Sequence, residues 1–200
     1  MAGEPESEVV AVTLGVVRLL EELGVSYVID GSLASSVHGT VRSTADVDFV
    51  VDLRPEHVSA FVGALGDEFY FSENRVRESV ETGGSFNVIA LHQMFKVDFL
   101  VAKDKPFESS QLRRGQPLSV SRTEKKRVNV STPEDVVIAK LIWYRKGGEI
   151  SDRQWQDVLG VLRVRAGAVD EEYLRRTAQE VGVLDLLTDA LHEAGGQSPG

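Results

Sequence analysis

Asp46 and Asp48 stand two residues apart in an otherwise apolar run, fourteen residues after Gly31-Ser32, within VIDGSLASSVHGTVRSTADVDFVVDL. Side chains alternate faces along a strand, so both carboxylates point one way while Val47, Phe49 and Val51 point into a core. Two carboxylates on one face repel each other unless a cation sits between them. The usual cation in that setting is Mg²⁺ bound to phosphate oxygens. The Gly-Ser pair supplies complementary chemistry. Gly31 takes backbone conformations closed to other residues, amides after it that open a helix can face a phosphate, and Ser32 adds a hydroxyl. The alternative reading is a Gly-Ser turn before a helix, followed by an acidic strand at a sheet edge.

Further residues stand out by costly placement. Asp98 lies in the apolar run Met94–Val101, on the face of Lys96 and opposite Phe95, Val97 and Phe99. A carboxylate there is expensive to bury unless paired or metal-bound; pairing with Lys96 on an edge strand is the plain explanation. Lys140 interrupts a largely apolar helix pattern, with Arg145 following, and Asp157 lies in the next helix pattern. A lysine so placed can neutralise phosphates, form an interhelical salt bridge with Asp157, or snorkel. The histidines have no zinc-ligand spacing. Trp143, Tyr144 and Trp155 read as helix-packing aromatics, and a Walker-type phosphate loop is absent from the sequence.

Gly31-Ser32 with Arg42-Ser43-Thr44-Ala45-Asp46-Val47-Asp48 resembles the first motif of the nucleotidyltransferase superfamily, in particular its AbiEii-like and MenT-like toxin branch. Lys96-Val97-Asp98 matches the position of the second motif, and Lys140, Arg145 and Asp157 fit the later ones. The resemblance implies an α/β fold, with a small mixed β-sheet, flanking helices and a C-terminal helical part. It implies transfer of a nucleoside monophosphate from an NTP to an acceptor, with release of pyrophosphate. Asp46, Asp48 and Asp98 would hold Mg²⁺, with Mn²⁺ as a substitute. Gly31, Ser32, Arg42, Thr44 and Lys140 would bind the nucleotide, and Asp157 would join the three metal-binding acids in catalysis. The acceptor is left open among RNA, a protein and a small molecule. A toxin role would bring a cognate antitoxin as partner. A catalytically silent nucleotide-binding or interaction module on the same fold is the other class of function.

These residues need elements to position them. Apolar periodicity over residues 7–23, stopped by Gly24, predicts a first helix. Strands are expected at Val25–Asp30 and Val47–Leu53, with a short helix from Ser32 to His38 between them and a Pro-initiated helix from Pro55 to Gly66 after them. Phe69–Phe71 reads as a short strand and Asn74–Glu81 as a turn or two of helix. Ser85–Leu91 and Met94–Val101 should form an antiparallel hairpin. Residues 106–130 read as mixed, with a hairpin across Leu118–Val120 and Val128–Val130. From Thr132 the pattern is helical: Thr132, Ser151 and Asp170 each cap a helix, and a fourth covers Leu184–Glu193. The expected organisation is an α/β core over 1–130, a packed helical part over 131–195 and a disordered tail over 196–200.

At 200 residues and 42% hydrophobic content the chain can bury a real core, and it has no cysteine for disulfides or thiolate metal sites. The N-terminal segment lacks the basic region of a signal peptide, and no apolar run reaches the ~18 residues of a membrane span. A cytoplasmic protein without membrane contact is expected. The net charge of −9 argues against broad nucleic-acid binding, and DNA is not an expected partner. One stretch departs from it: Arg113, Arg114, Arg122, Lys125, Lys126 and Arg127 face only Glu124 between residues 113 and 127. That stretch is either a phosphate-facing patch or a soluble exposed hairpin.

Overall fold

The computed structural model describes residues 8–39, 46–120 and 126–196. The chain divides into two units, Met1–Asp30 with Thr44–Val130, and Gly31–Ser43 with Ser131–Gly200. Gly31–Ser43 thus groups with the helical part, not with the α/β core in which a simple division at residue 130 would leave it.

The first unit is built on a seven-stranded mixed sheet. Its strands are β1 Tyr27–Asp30, β2 Asp46–Val51, β3 Phe69–Tyr70, β4 Ser85–Ala90, β5 Phe95–Val101, β6 Gln116–Leu118 and β7 Val128–Val130. They lie in the order β3-β4-β5-β2-β1-β7-β6. β1 pairs antiparallel with β2, β2 runs parallel to β5, and β4 and β5 form the expected antiparallel hairpin. The helices of this unit are α1 Glu8–Glu22, α3 Pro55–Leu65, α4 Glu73–Thr82 and α5 Pro106–Arg114.

The register is set by aromatic residues. Phe86, Phe99, Phe49 and Ile29 lie side by side across β4, β5, β2 and β1. Phe99 stacks on Phe86 at 4.9 Å and on Phe49 at 5.6 Å, and Phe61 of α3 meets it edge-on at 5.5 Å. Each such ring is worth about 1.5–3 kcal/mol of burial. A slip of one residue would turn them all to the other face, so the register is firmly specified. On that other face Val28, Val50 and Ala102 form a smaller apolar cluster with Leu100 and with Leu112 of α5.

The second unit comprises α2 Gly31–His38, α6 Pro133–Lys146, α7 Asp152–Val164, α8 Glu171–Glu180 and α9 Leu184–Gly196. Thr132, Ser151 and Asp170 cap α6, α7 and α8 through their side-chain oxygens, as their types predict. Two buried acids join α6 to α8: Tyr173 donates its hydroxyl to Asp135 at 2.6 Å, and the Asp170 amide donates to Glu134 at 3.0 Å. Gly39, just after α2, lies against the α7 backbone; a Cβ there would stand 3.0 Å from the Val161 nitrogen, so a side chain fits only if the backbone gives by a few tenths of an ångström.

Candidate active site

The register that stacks the phenylalanines on one face lines up polar residues on the other. Asp48 lies opposite Asp98 on one side and opposite Asp30 on the other, with Asn87 beyond Asp98. One step along, Asp46 lies opposite Lys96. Asp46 and Asp48 therefore share one face, as their spacing predicts, and the pairing of β2 with β5 brings Asp98 onto it. Neither acidic strand is at a sheet edge: β2 and β5 are interior neighbours, which corrects the edge-strand alternative for both.

Lys96 is the counter-charge on this face. Its Nζ lies 2.6 Å from Asp98 Oδ2 and 3.8 Å from Asp46 Oδ2. The hydrogen bond to Asp98, then the charges of Asp98, Asp46 and Asp48, hold its ammonium above the ordinary lysine range against the opposing effect of burial. Among the described residues, no group of three or more His, Asp or Glu side chains is drawn closely enough to hold a metal ion. In chemical type the donors fit a hard divalent cation, being oxygens only, on one face, with a cation already within ion-pair reach of two of them. The acid face is distinct from a cavity of about 590 Å³ lined by Asp52, Arg54, Lys103 and Arg113 among others.

Asp30 was not singled out by the sequence reading. It ends β1, is 8% exposed, and its Oδ2 accepts a 3.1 Å hydrogen bond from Gln111 of α5. The available signal was its position, a carboxylate closing an apolar strand immediately before Gly31. Helix α5, which supplies Gln111, falls in the stretch read only as mixed.

Gly31 has φ of +60°, the left-handed region that glycine tolerates, where the chain leaves β1 and α2 begins. Ser32 is buried. The hydroxyls of Ser35 and Ser36 bond back to the carbonyls of Gly31 and Ser32, at 2.7 and 3.0 Å. At the end of α2, His38 is buried and its Nε2 donates to the Ser131 carbonyl at 2.7 Å. That leaves Nδ1 as the acceptor facing an Arg165 guanidinium nitrogen at 3.5 Å. Burial pushes the pKa of His38 below its ordinary value. Arg42 and Thr44 lie outside the described residues.

Lys140 and Asp157 form a 2.8 Å ion pair between α6 and α7, with side chains 6% and 11% exposed, and Gln154 Oε1 lies 3.4 Å from the same ammonium. This is the arrangement that the salt-bridge reading predicts. Arg145 is engaged by Glu149, Asp185 and the Gly182 carbonyl. Tyr144 packs on Trp155, whose indole donates to Glu193, so these two aromatics join helices.

Solved structures share this architecture. An antigenic nucleotidyltransferase-like protein from Paracoccidioides brasiliensis aligns over 93% of both chains, with a TM-score of 0.55 at 17% identity. The antibiotic-resistance factor ANT(2'')-Ia aligns over 92% of this chain and 97% of its own, at 0.55 and 13%. Its complex with adenylyl-2''-tobramycin aligns over 86% and 96%, at 0.56 and 12%. The fold is that of nucleotidyltransferase-like proteins. No family model and no curated protein sequence matches the chain. Among the described residues no helix is long and apolar enough to cross a membrane.

Proposed function

We propose that this protein is a metal-dependent nucleotidyltransferase, moving a nucleoside monophosphate from an NTP to an acceptor. The observation that carries the reading is Asp46, Asp48 and Asp98 in register on one face of two interior strands, in a sheet of the nucleotidyltransferase class. Asp46, Asp48 and Asp98 would hold Mg²⁺ or Mn²⁺. When bound, the metal would neutralise charge on the attacking and leaving oxygens and orient the triphosphate. The acceptor oxygen attacks the α-phosphorus and its proton passes to Asp98. The bond from the α-phosphorus to the bridging oxygen breaks, and pyrophosphate leaves. Asp30, held by Gln111, lies opposite Asp48 in the strand register and extends the acid row.

Phosphate binding by Gly31, Ser32, Arg42, Thr44 and Lys140, and a catalytic contribution from Asp157, rest on the motif resemblance alone. So does the toxin branch, with a cognate antitoxin as partner. The acceptor is RNA, a protein or a small molecule; the ANT(2'')-Ia complex with adenylyl-2''-tobramycin lends the small-molecule class a precedent on this fold. One observation favours a second reading, a catalytically silent nucleotide-binding or interaction module. Lys96 is paired with Asp98, and the described acids are not gathered as a metal site would be. Incubation with each labelled NTP, Mg²⁺ and cell extract decides between the two. Label moving onto an acceptor supports transfer, and NTP binding without any movement of label supports the silent module.

A further inference from the structure

We infer that Lys96 is a built-in cation that competes with the divalent metal for Asp98 and Asp46, so that the acid face resists bare metal ions. The inference rests on the metal-binding reading of the acids. Its basis is geometric. Lys96 and Asp98 project from the same face of β5, and their register with β2 places Asp46 beside Lys96 and Asp48 beside Asp98. The ammonium reaches both Asp98 and Asp46 from there, at 2.6 and 3.8 Å. It thus engages two of the three carboxylates that the metal needs, and in this conformation the acids are not gathered as metal ligands.

The arrangement is displaceable. Lys96 is 44% exposed at its side chain, and Asp46 and Asp98 are 34% and 30% exposed. Ion pairs this open to water are weak, so a divalent ion of higher charge can displace the ammonium. The lysine stem is long and flexible and its head is within reach of solvent, so leaving requires no backbone movement. A metal ion arriving with a triphosphate brings anionic oxygens to which the released ammonium can turn. A bare ion brings none and must also bear the repulsion of the lysine it displaces. The consequence is a site that loads with a metal–nucleotide complex in preference to metal alone.

The test is direct binding of Mn²⁺, by calorimetry and by loss of the free-ion paramagnetic resonance signal, without nucleotide. Wild type is compared with Lys96→Met, which keeps the stem and removes the charge, and with Lys96→Arg, which keeps the charge. Lys96→Met should bind Mn²⁺ at least about fivefold more tightly than wild type, and Lys96→Arg should bind as weakly as wild type. If Lys96→Met does not fold, as judged by circular dichroism in EDTA, Lys96→Gln replaces it with the same expectation. Wild type binding Mn²⁺ with the uncharged variant no tighter overturns the inference and leaves the metal reading standing. No binding by any of the proteins at millimolar Mn²⁺ overturns the inference, and no binding with NTP added overturns the metal reading as well.

Discussion

At the scale of single residues, Asp48 is the most exacting test of the site, because it is flanked by Asp98 and Asp30 on neighbouring strands. Like charges directly opposite one another weaken a sheet, so neutralising the middle one should not damage the fold. Asp48→Asn should lower transfer by at least about a hundredfold, while stability in EDTA stays within roughly 0.5 kcal/mol of wild type or rises. Steady-state rates and thermal melts check the two halves, and a large loss of stability would mark Asp48 as structural. His38 makes a different residue-scale prediction. Burial, with the Arg165 charge beside the ring, favours its neutral form in the folded state, against the opposing pull of the Ser131 bond and Glu134. The unfolded chain takes up that proton near pH 6.5. The unfolded state therefore binds more protons below that pH, and the stability held above it is lost as pH falls towards the folded-state value. Melting temperature should drop from pH 7 to pH 5 more steeply in wild type than in His38→Gln, which retains an amide donor for the Ser131 carbonyl.

At the scale of elements, the question is what joins α6 to α7. The Lys140–Asp157 pair is buried, and removing one member leaves the other charged without its partner. Lys140→Met and Asp157→Asn should each cost about 3–5 kcal/mol of stability. The double variant Lys140→Met, Asp157→Asn should be more stable than the sum of the single effects by about 0.5–3 kcal/mol. Denaturant melts of the four proteins give the coupling. NTP affinity of the double variant, once the melts show it folded, then tests the nucleotide role of Lys140 separately from its structural one. Elements also explain how much could be read in advance. Capped helices such as α6, and strands with clean alternation such as β5, are written locally, in Thr132-Pro133 and in Lys96-Val97-Asp98. The shared face of Asp46 and Asp48 follows from their spacing alone. What was not legible is long-range: that β5 docks parallel to β2, bringing Asp98 level with Asp48, and that β1 sets Asp30 on the other side. Helix α5 was missed because its apolar face is short, with Phe107 and Gln111 buried and most other positions polar. Without α5 there was no partner for Asp30 and no reason to single it out. Gly31–Ser43 precedes the acidic strand closely in sequence but groups with the distant helices, a pairing that no local pattern encodes.

At the scale of the whole molecule, charge bears on the class of acceptor. A chain of net charge −9 repels a polyanion, so an RNA acceptor would have to be drawn in by a local basic surface. The stretch between Arg113 and Arg127 is the candidate, and its described part is already partly committed. Lys126 pairs with Glu21 at 2.8 Å, and Glu21 also accepts the Tyr27 hydroxyl at 3.0 Å. Arg113 and Arg114 lie in the last turn of α5, where they offset the negative helix end. Arg122 and Lys125 lie outside the described residues. Of the described cations of this stretch Lys126 is paired, and the overall acidity makes RNA an awkward partner, so a small molecule or a protein without an acidic face is the expected acceptor. The two classes separate sharply with salt. Even three phosphate contacts would cost RNA roughly twentyfold (single strand) to fortyfold (duplex) in affinity between about 50 and 200 mM salt, because each neutralised phosphate releases a counterion. Transfer to the true acceptor, measured below saturation across that range, should instead change by less than about twofold once NTP binding is held saturating. Replacing Lys125, Lys126 and Arg127 together by Ser should leave both NTP affinity and that transfer rate unchanged. A steep loss with salt, made shallower by the triple replacement, would establish the basic stretch as a phosphate-backbone site and RNA as the acceptor. The nucleotidyltransferase reading would stand in either case, because it rests on the acid row of β2 and β5 and not on the basic stretch.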